Sequence, residues 1–110
     1  MGEVITFAII TAAHYHHLVI KTFGNAETHD LFTGKRVHRW INIESVAMRK
    51  LAMLNRAAVL GDLRVPPANR LEALKGDRKG QYSIRVNDQF RICFQWKDGD
   101  AYDVGIVDYH

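Results

Sequence analysis

The chain has 110 residues, 47% of them apolar and 25% charged, and a formal net charge of +3. Such a length and composition describe one globular domain and exclude both a multidomain enzyme and a disordered chain. The single cysteine, Cys93, precludes an internal disulfide, so no oxidising compartment is needed and a cytoplasmic protein is expected. The longest apolar stretch, Val4 to Ala13, has ten residues, against the roughly 20 of a membrane span. It follows Glu3 rather than a basic residue, so neither membrane contact nor export is expected.

Val19 to Phe23 alternates and is rich in β-formers, which predicts a short strand. Asn25 can cap a helix over Ala26 to Thr33 that Gly34 stops. After a basic connector holding Lys35, Arg36, His38 and Arg39, the apolar residues Ile43, Val46, Ala47, Leu51, Leu54 and Ala58 fall on one helical face. They predict a helix over 43–60, with Arg49, Lys50 and Arg56 off its apolar stripe and Gly61 and Pro66-Pro67 closing it. Beyond Pro67 the period drops to two. Asn69 to Leu74 is a candidate strand, residues 76–80 a polar turn, and Tyr82, Ile84 and Val86 the inward set of a second strand. Phe90, Ile92, Phe94 and Trp96 mark another. Asp98-Gly99 turns the chain into a last strand whose apolar run is Tyr102, Val104 and Ile106. The expected fold class is α+β, an antiparallel meander with two N-terminal helices packed on one face.

The net charge conceals a segregation. Residues 1–34 sum to −2, residues 35–91 to +8 and residues 92–110 to −3. A basic block of that size meets phosphate or an acidic partner, unless it is simply a solvated face. The aromatic row of Tyr82, Phe90, Phe94 and Trp96 could stack bases, but it shares the alternation of Ile84 and Ile92 and is expected in the core. The opposite face carries Arg85 and Arg91 on adjacent strands, beside Lys75, Arg78 and Lys79 in the turn. That makes a candidate cationic site on a solvated surface. Arg91 has a second reading, as the cross-strand partner of an Asp on the last strand. Cys93 reads as a buried thiol. His14, His16 and His17 have only Glu3 as a nearby acid and no Cys, so no metal site is expected there. Asp108-Tyr109-His110 follows a strand directly and reads either as a frayed tail or as a proton-transfer group.

The runs Asn69 to Arg78, Tyr82 to Asn87 and Phe90 to Phe94, followed by Asp108-Tyr109-His110, resemble the HigB family of toxins in the RelE superfamily, also called plasmid maintenance killers. The similarity covers about five-sixths of the chain, from Val19 or Ile20 to His110. It implies a RelE-like fold and a ribosome-dependent mRNA endonuclease. Such an enzyme cuts in the A site of the 70S ribosome by attack of a 2′-hydroxyl on the adjacent phosphate, without metal or other cofactor. It also implies a HigA-type helix-turn-helix antitoxin as partner. On the family's pattern, Lys75 and Arg91 supply positive charge at the scissile phosphate. Asp108 and His110 stand where proton-transfer or orienting groups lie, and Tyr109 where the nucleotide or the site is contacted. Some members carry a histidine three residues before Lys75. This chain has Glu72 there, which leaves the assignment of base and acid open. Arg85, Arg78, Lys79 and Arg70 are further candidates for RNA contact.

The resemblance keeps two other classes in view: a ParE-like inhibitor of gyrase and a catalytically dead module that only binds antitoxin. Family chains begin with a pattern that Val19-Ile20-Lys21-Thr22-Phe23 fills, so residues 1–18 are expected to be an added extension and 19–110 the toxin domain. A chain beginning at Val19 is therefore expected to fold and to remain toxic. Loss of either property on truncation makes the extension integral.

Overall fold

The structure is a computed structural model that describes residues 18–109. Residues 1–17, with His14, His16 and His17, and His110 lie outside the described residues. Helix α1 runs Ala26–Phe32, and Asn25 caps it as the sequence predicts, its Oδ1 accepting from Thr28 N at 2.8 Å. Helix α2 is Glu44–Asn55, ending five residues short of the predicted Leu60. The chain leaves the helix because Asp62 Oδ2 accepts from Ala58 N and Val59 N, which starts a 3₁₀ turn over Leu60–Arg64. Gly61 therefore lies inside a turn and not at the end of the helix.

Four strands follow in meander order: β1 Glu72–Ala73, β2 Gln81–Arg85, β3 Phe90–Lys97 and β4 Asp100–Asp108. All pairings between them are antiparallel. The candidate strand over 69–74 shrinks to two residues because Pro67–Asn69 forms a 3₁₀ turn and Arg70 adopts the left-handed conformation, φ 46° and ψ 55°. The predicted first strand is an extended edge beside β4, parallel to it, touching through single bridges at Ile20–Ala101 and Phe23–Val104. Gly24 belongs here for a steric reason: a Cβ would stand 2.9 Å from the carbonyl oxygen of Asp103.

The helices and the sheet enclose one core. Leu31, Trp40, Ala47, Leu51 and Leu54 meet Ile84, Ile92, Phe94, Val104 and Ile106 there. The aromatic row goes to that core, with Phe94 fully buried and Tyr82, Phe90 and Trp96 packed against it. On β4 the inward residue is Ala101 rather than the predicted Tyr102. Asp103 takes a positive φ of 54°, which shifts the alternation by one before Val104 and Ile106 resume it. Thr28, fully buried, ties α1 to the sheet. Its Oγ1 donates to Asn25 Oδ1 at 2.7 Å and accepts from Ile106 N at 3.0 Å. That bond fixes β4 over the stretch leading to Asp108.

Candidate active site

Arg91, the second residue of β3, lies on the sheet face opposite the helices. It pairs with Arg85 on β2 and with Val107 on β4. Two guanidinium groups directly opposite repel each other, and each has its own carboxylate. Arg85 pairs with Asp88, while Arg91 Nε lies 3.7 Å from Glu72 Oε1. The face is less solvated than its composition suggests. Arg91 is only 9% exposed and Ser83 beneath it is fully buried. Arg91 Nε donates to Ser83 Oγ at 2.7 Å, and Nη2 donates to the Arg70 carbonyl at 2.6 Å. Those bonds leave Nη1 without a protein acceptor among the described residues.

The expected pairing of Arg91 with an Asp of the last strand is replaced by Glu72. The reason is strand alternation: Arg91 faces Val107, so Asp108, one residue on, turns toward the helix side opposite Phe90. There its Oδ2 accepts from Gln89 Nε2 at 3.0 Å. The Arg39 guanidinium senses it too, its pKa being raised chiefly by Glu27 with Asp108 adding to the effect. Tyr109 returns to the Arg91 side, with its ring centroid 5.8 Å from the guanidinium carbon. Its backbone N donates to the Gln89 carbonyl at 2.6 Å, continuing the β3–β4 ladder past the last strand pair. Up to Tyr109 the tail is therefore anchored and not frayed.

Arg78, Val107, Asp108 and Tyr109 line an open depression of about 410 Å³ at this end of the sheet. Arg78 closes the turn Gly76–Arg78, held by a bond to Gln81 Oε1 at 3.0 Å. Lys75 and Lys79 flank that turn and are exposed. Arg70 is exposed as well, but its carbonyl is the part that meets Arg91. The structure thus brings Glu72, Arg91, Ser83, Tyr109 and the Arg70 carbonyl together, with Arg78 and Asp108 at the rim. His110 lies outside the described residues. Cys93 is buried beside Ser83's strand, and burial pushes its thiol pKa up, which suits an inert side chain. Among the described residues no three His, Cys, Asp or Glu side chains gather as metal ligands.

Sequence reasoning missed Lys50. Predicted off the apolar stripe of its helix, it is 7% exposed, and its Nζ donates to Oδ1 of the fully buried Asn69 at 2.6 Å. Burial, with Arg49 and Arg85 nearby, lowers its pKa from the usual lysine value. A lysine at a partly apolar helical spacing carries no signal of such a partner, because Asn69 comes from a turn nineteen residues away.

Two helices against a four-strand antiparallel meander is the RelE/YoeB-like fold. A chain of the YoeB–YefM complex from Staphylococcus aureus superposes with a TM-score of 0.55 at 17% identity, over 84% of this chain and 97% of that one. Residues 13–110 match the family of RelE-like toxins of the type II toxin–antitoxin system HigB, and the chain belongs to that family. It is 53% identical to toxin HigB-1 of Vibrio cholerae over 66 residues, 58% of this chain and 70% of that one. It is 41% identical to the endoribonuclease HigB of Proteus vulgaris over 61 residues, 56% of this chain and 65% of the other, just under two thirds of its length. A type II toxin has a cognate antitoxin. No described helix is long and apolar enough to cross a membrane.

Proposed function

We propose that this toxin is a ribosome-dependent mRNA endonuclease of the cytoplasm. It cleaves mRNA in the A site of the 70S ribosome by metal-independent attack of a 2′-hydroxyl on the neighbouring phosphate. The observation that carries the reading is Arg91: a buried guanidinium, fixed by Ser83 and the Arg70 carbonyl, beside a depression open to a polymer. Fixed cations are what a developing phosphorane needs, since a preorganised charge stabilises the transition state without reorganising during the reaction. In this reading Arg91 Nη1 and the ammonium of Lys75 take the non-bridging oxygens. Tyr109 stacks on or bonds the nucleotide, and Arg78, Lys79, Arg85 and Arg70 hold flanking phosphates. Proton transfer falls to Glu72, Asp108 and His110, with Glu72 beside Arg91 and Asp108 at the rim. A 2′,3′-cyclic phosphate and a 5′-hydroxyl result, and the leaving 5′-oxygen takes a proton from the general acid. The antitoxin is a HigA-type helix-turn-helix protein, and residues 1–18 are an extension on the toxin domain 19–110.

The name of the Proteus vulgaris relative, an endoribonuclease, supports this reading. Toeprinting on translating ribosomes tests it. Purified toxin is expected to give cuts inside the A-site codon and none on the same mRNA without ribosomes. Intact mRNA together with loss of gyrase supercoiling transfers the protein to the ParE-like class. Intact mRNA and active gyrase leave a module that only binds antitoxin.

A further inference from the structure

One fully buried polar group of the fold, Asn69, stands next in the chain to the residue whose carbonyl meets Arg91. Both its amide oxygen and its amide nitrogen are engaged. Oδ1 accepts from Lys50 Nζ at 2.6 Å, and Nδ2 donates to the carbonyls of Leu63 at 3.1 Å and Val65 at 3.4 Å. A buried amide and a buried ammonium are costly unless they are hydrogen-bonded, and here each is bonded to the other. What they hold is the irregular stretch from Leu63 to Arg70, whose side chains offer little apolar anchoring beyond Leu63.

That stretch ends in the left-handed Arg70, φ 46°, where a residue with a Cβ costs about 1 kcal/mol or more relative to the usual basins. The strained residue is the one whose carbonyl receives Arg91 Nη2 at 2.6 Å. Backbone in a sparsely populated region persists only where its surroundings over-determine it, and the buried lysine–asparagine pair lies one residue upstream.

We infer that Lys50 and Asn69 are positioning residues for Arg91: they lock the turn that aims the Arg70 carbonyl at the guanidinium. The inference rests on the proposed role of Arg91 in cleavage. It also changes how Arg70 is read, giving its backbone a role separate from its exposed side chain. Of Arg91's five N–H donors, Ser83 and Arg70 together hold the Nε and Nη2 sides, so the group presents Nη1 in one orientation. Without the carbonyl, rotation about the Nε–Cζ bond is opposed only by the longer bond from Nη2 to the Ser83 carbonyl at 3.4 Å, the Glu72 ion pair and the Tyr109 ring, so the exposed nitrogen is held less firmly. A fraction of an ångström at a phosphate-binding nitrogen matters for rate far more than for affinity.

The test reads Arg91 directly. In ¹⁵N-edited NMR of the wild-type protein, one guanidinium is expected to show distinct, slowly exchanging Nη signals, which are lost in Arg91→Lys. Averaged signals in wild type overturn the inference at once. Asn69→Ala and the milder Lys50→Met are each expected to average the Arg91 Nη signals. Both should lower single-turnover cleavage at saturating ribosomes about 10- to 100-fold, with little change in the half-saturating ribosome concentration. Arg70→Gly keeps the carbonyl and suits the left-handed backbone, so it is expected to leave the Arg91 signals as in wild type. A folded Lys50→Met or Asn69→Ala with unchanged Arg91 signals overturns the positioning role. A wild-type protein that cuts no ribosome-bound mRNA contradicts the proposed function instead, and leaves the NMR result to stand by itself.

Discussion

Arg91→Ala and Lys75→Ala are each expected to lower single-turnover cleavage by about 10²-fold or more, the usual loss when one transition-state charge donor is removed. The two differ in stability. Lys75 is exposed, so its loss is expected to change folding by no more than about 0.5 kcal/mol. Arg91 is buried, and Ser83 Oγ, the Arg70 carbonyl and the Glu72 carboxylate all rely on it. Arg91→Ala is therefore expected to destabilise by about 1–3 kcal/mol, the penalty for buried groups left unpaired. Arg91→Lys restores the charge without the planar fork and is expected to recover stability better than rate. Arg56, exposed at the end of α2, serves as the control: Arg56→Ala should alter ribosome affinity or nothing. Equal losses of cleavage at all three positions would mean that general electrostatic binding had been mistaken for catalysis.

Deleting residues 108–110 is expected to abolish cleavage and toxicity. If His110 transfers a proton, His110→Ala by itself should lower the rate about 10²- to 10⁴-fold, the range for general acid–base catalysis. An imidazole is suited to that task because its ordinary pKa lies near neutrality. The deletion is not silent for the fold. Asp108 is the last paired residue of β4, and both Tyr109 N and the Asp108 carboxylate bond to Gln89. Two such bonds contribute about 0.5–1.5 kcal/mol each, so a modest drop in thermal stability is expected, while antitoxin binding is kept. The point variants Tyr109→Ala and His110→Ala separate chemistry from that loss. A deletion protein that still cuts at near the wild-type rate removes the tail from the mechanism and leaves Glu72 as the acid–base candidate.

The regular parts of this fold were legible in the sequence, since a period of 3.6 followed by a period of two describes the helices and the meander directly. The cap at Asn25 and the inward set Ile84, Ile92 and Phe94 follow from local chemistry. Residues 57–71 were not legible, because 3₁₀ turns and a left-handed residue have no hydrophobic period to reveal them. Lys50 and Asn69 were hidden for the same reason: each is unremarkable in its own segment, and only the folded turn joins them. The candidate site was half legible. Arg85 and Arg91 on one face come from alternation alone. The partner of Arg91 required register, since Glu72 reaches it through the pairing of β1 with β2 and of β2 with β3. The side taken by Asp108 could have been read, because it shares the parity of Val104 and Ile106 and so points away from Arg91.

The central claim is that a fixed guanidinium beside the Tyr109 depression cleaves mRNA on the ribosome. The most direct measurement maps mRNA 5′ ends across the cell after a brief induction of the wild-type toxin and of Arg91→Ala. New 5′-hydroxyl ends confined to translated regions, in register with codons and absent with Arg91→Ala, are the predicted result. Growth arrest by the wild-type toxin with no new 5′-hydroxyl ends, or with the same ends appearing in Arg91→Ala, would contradict it.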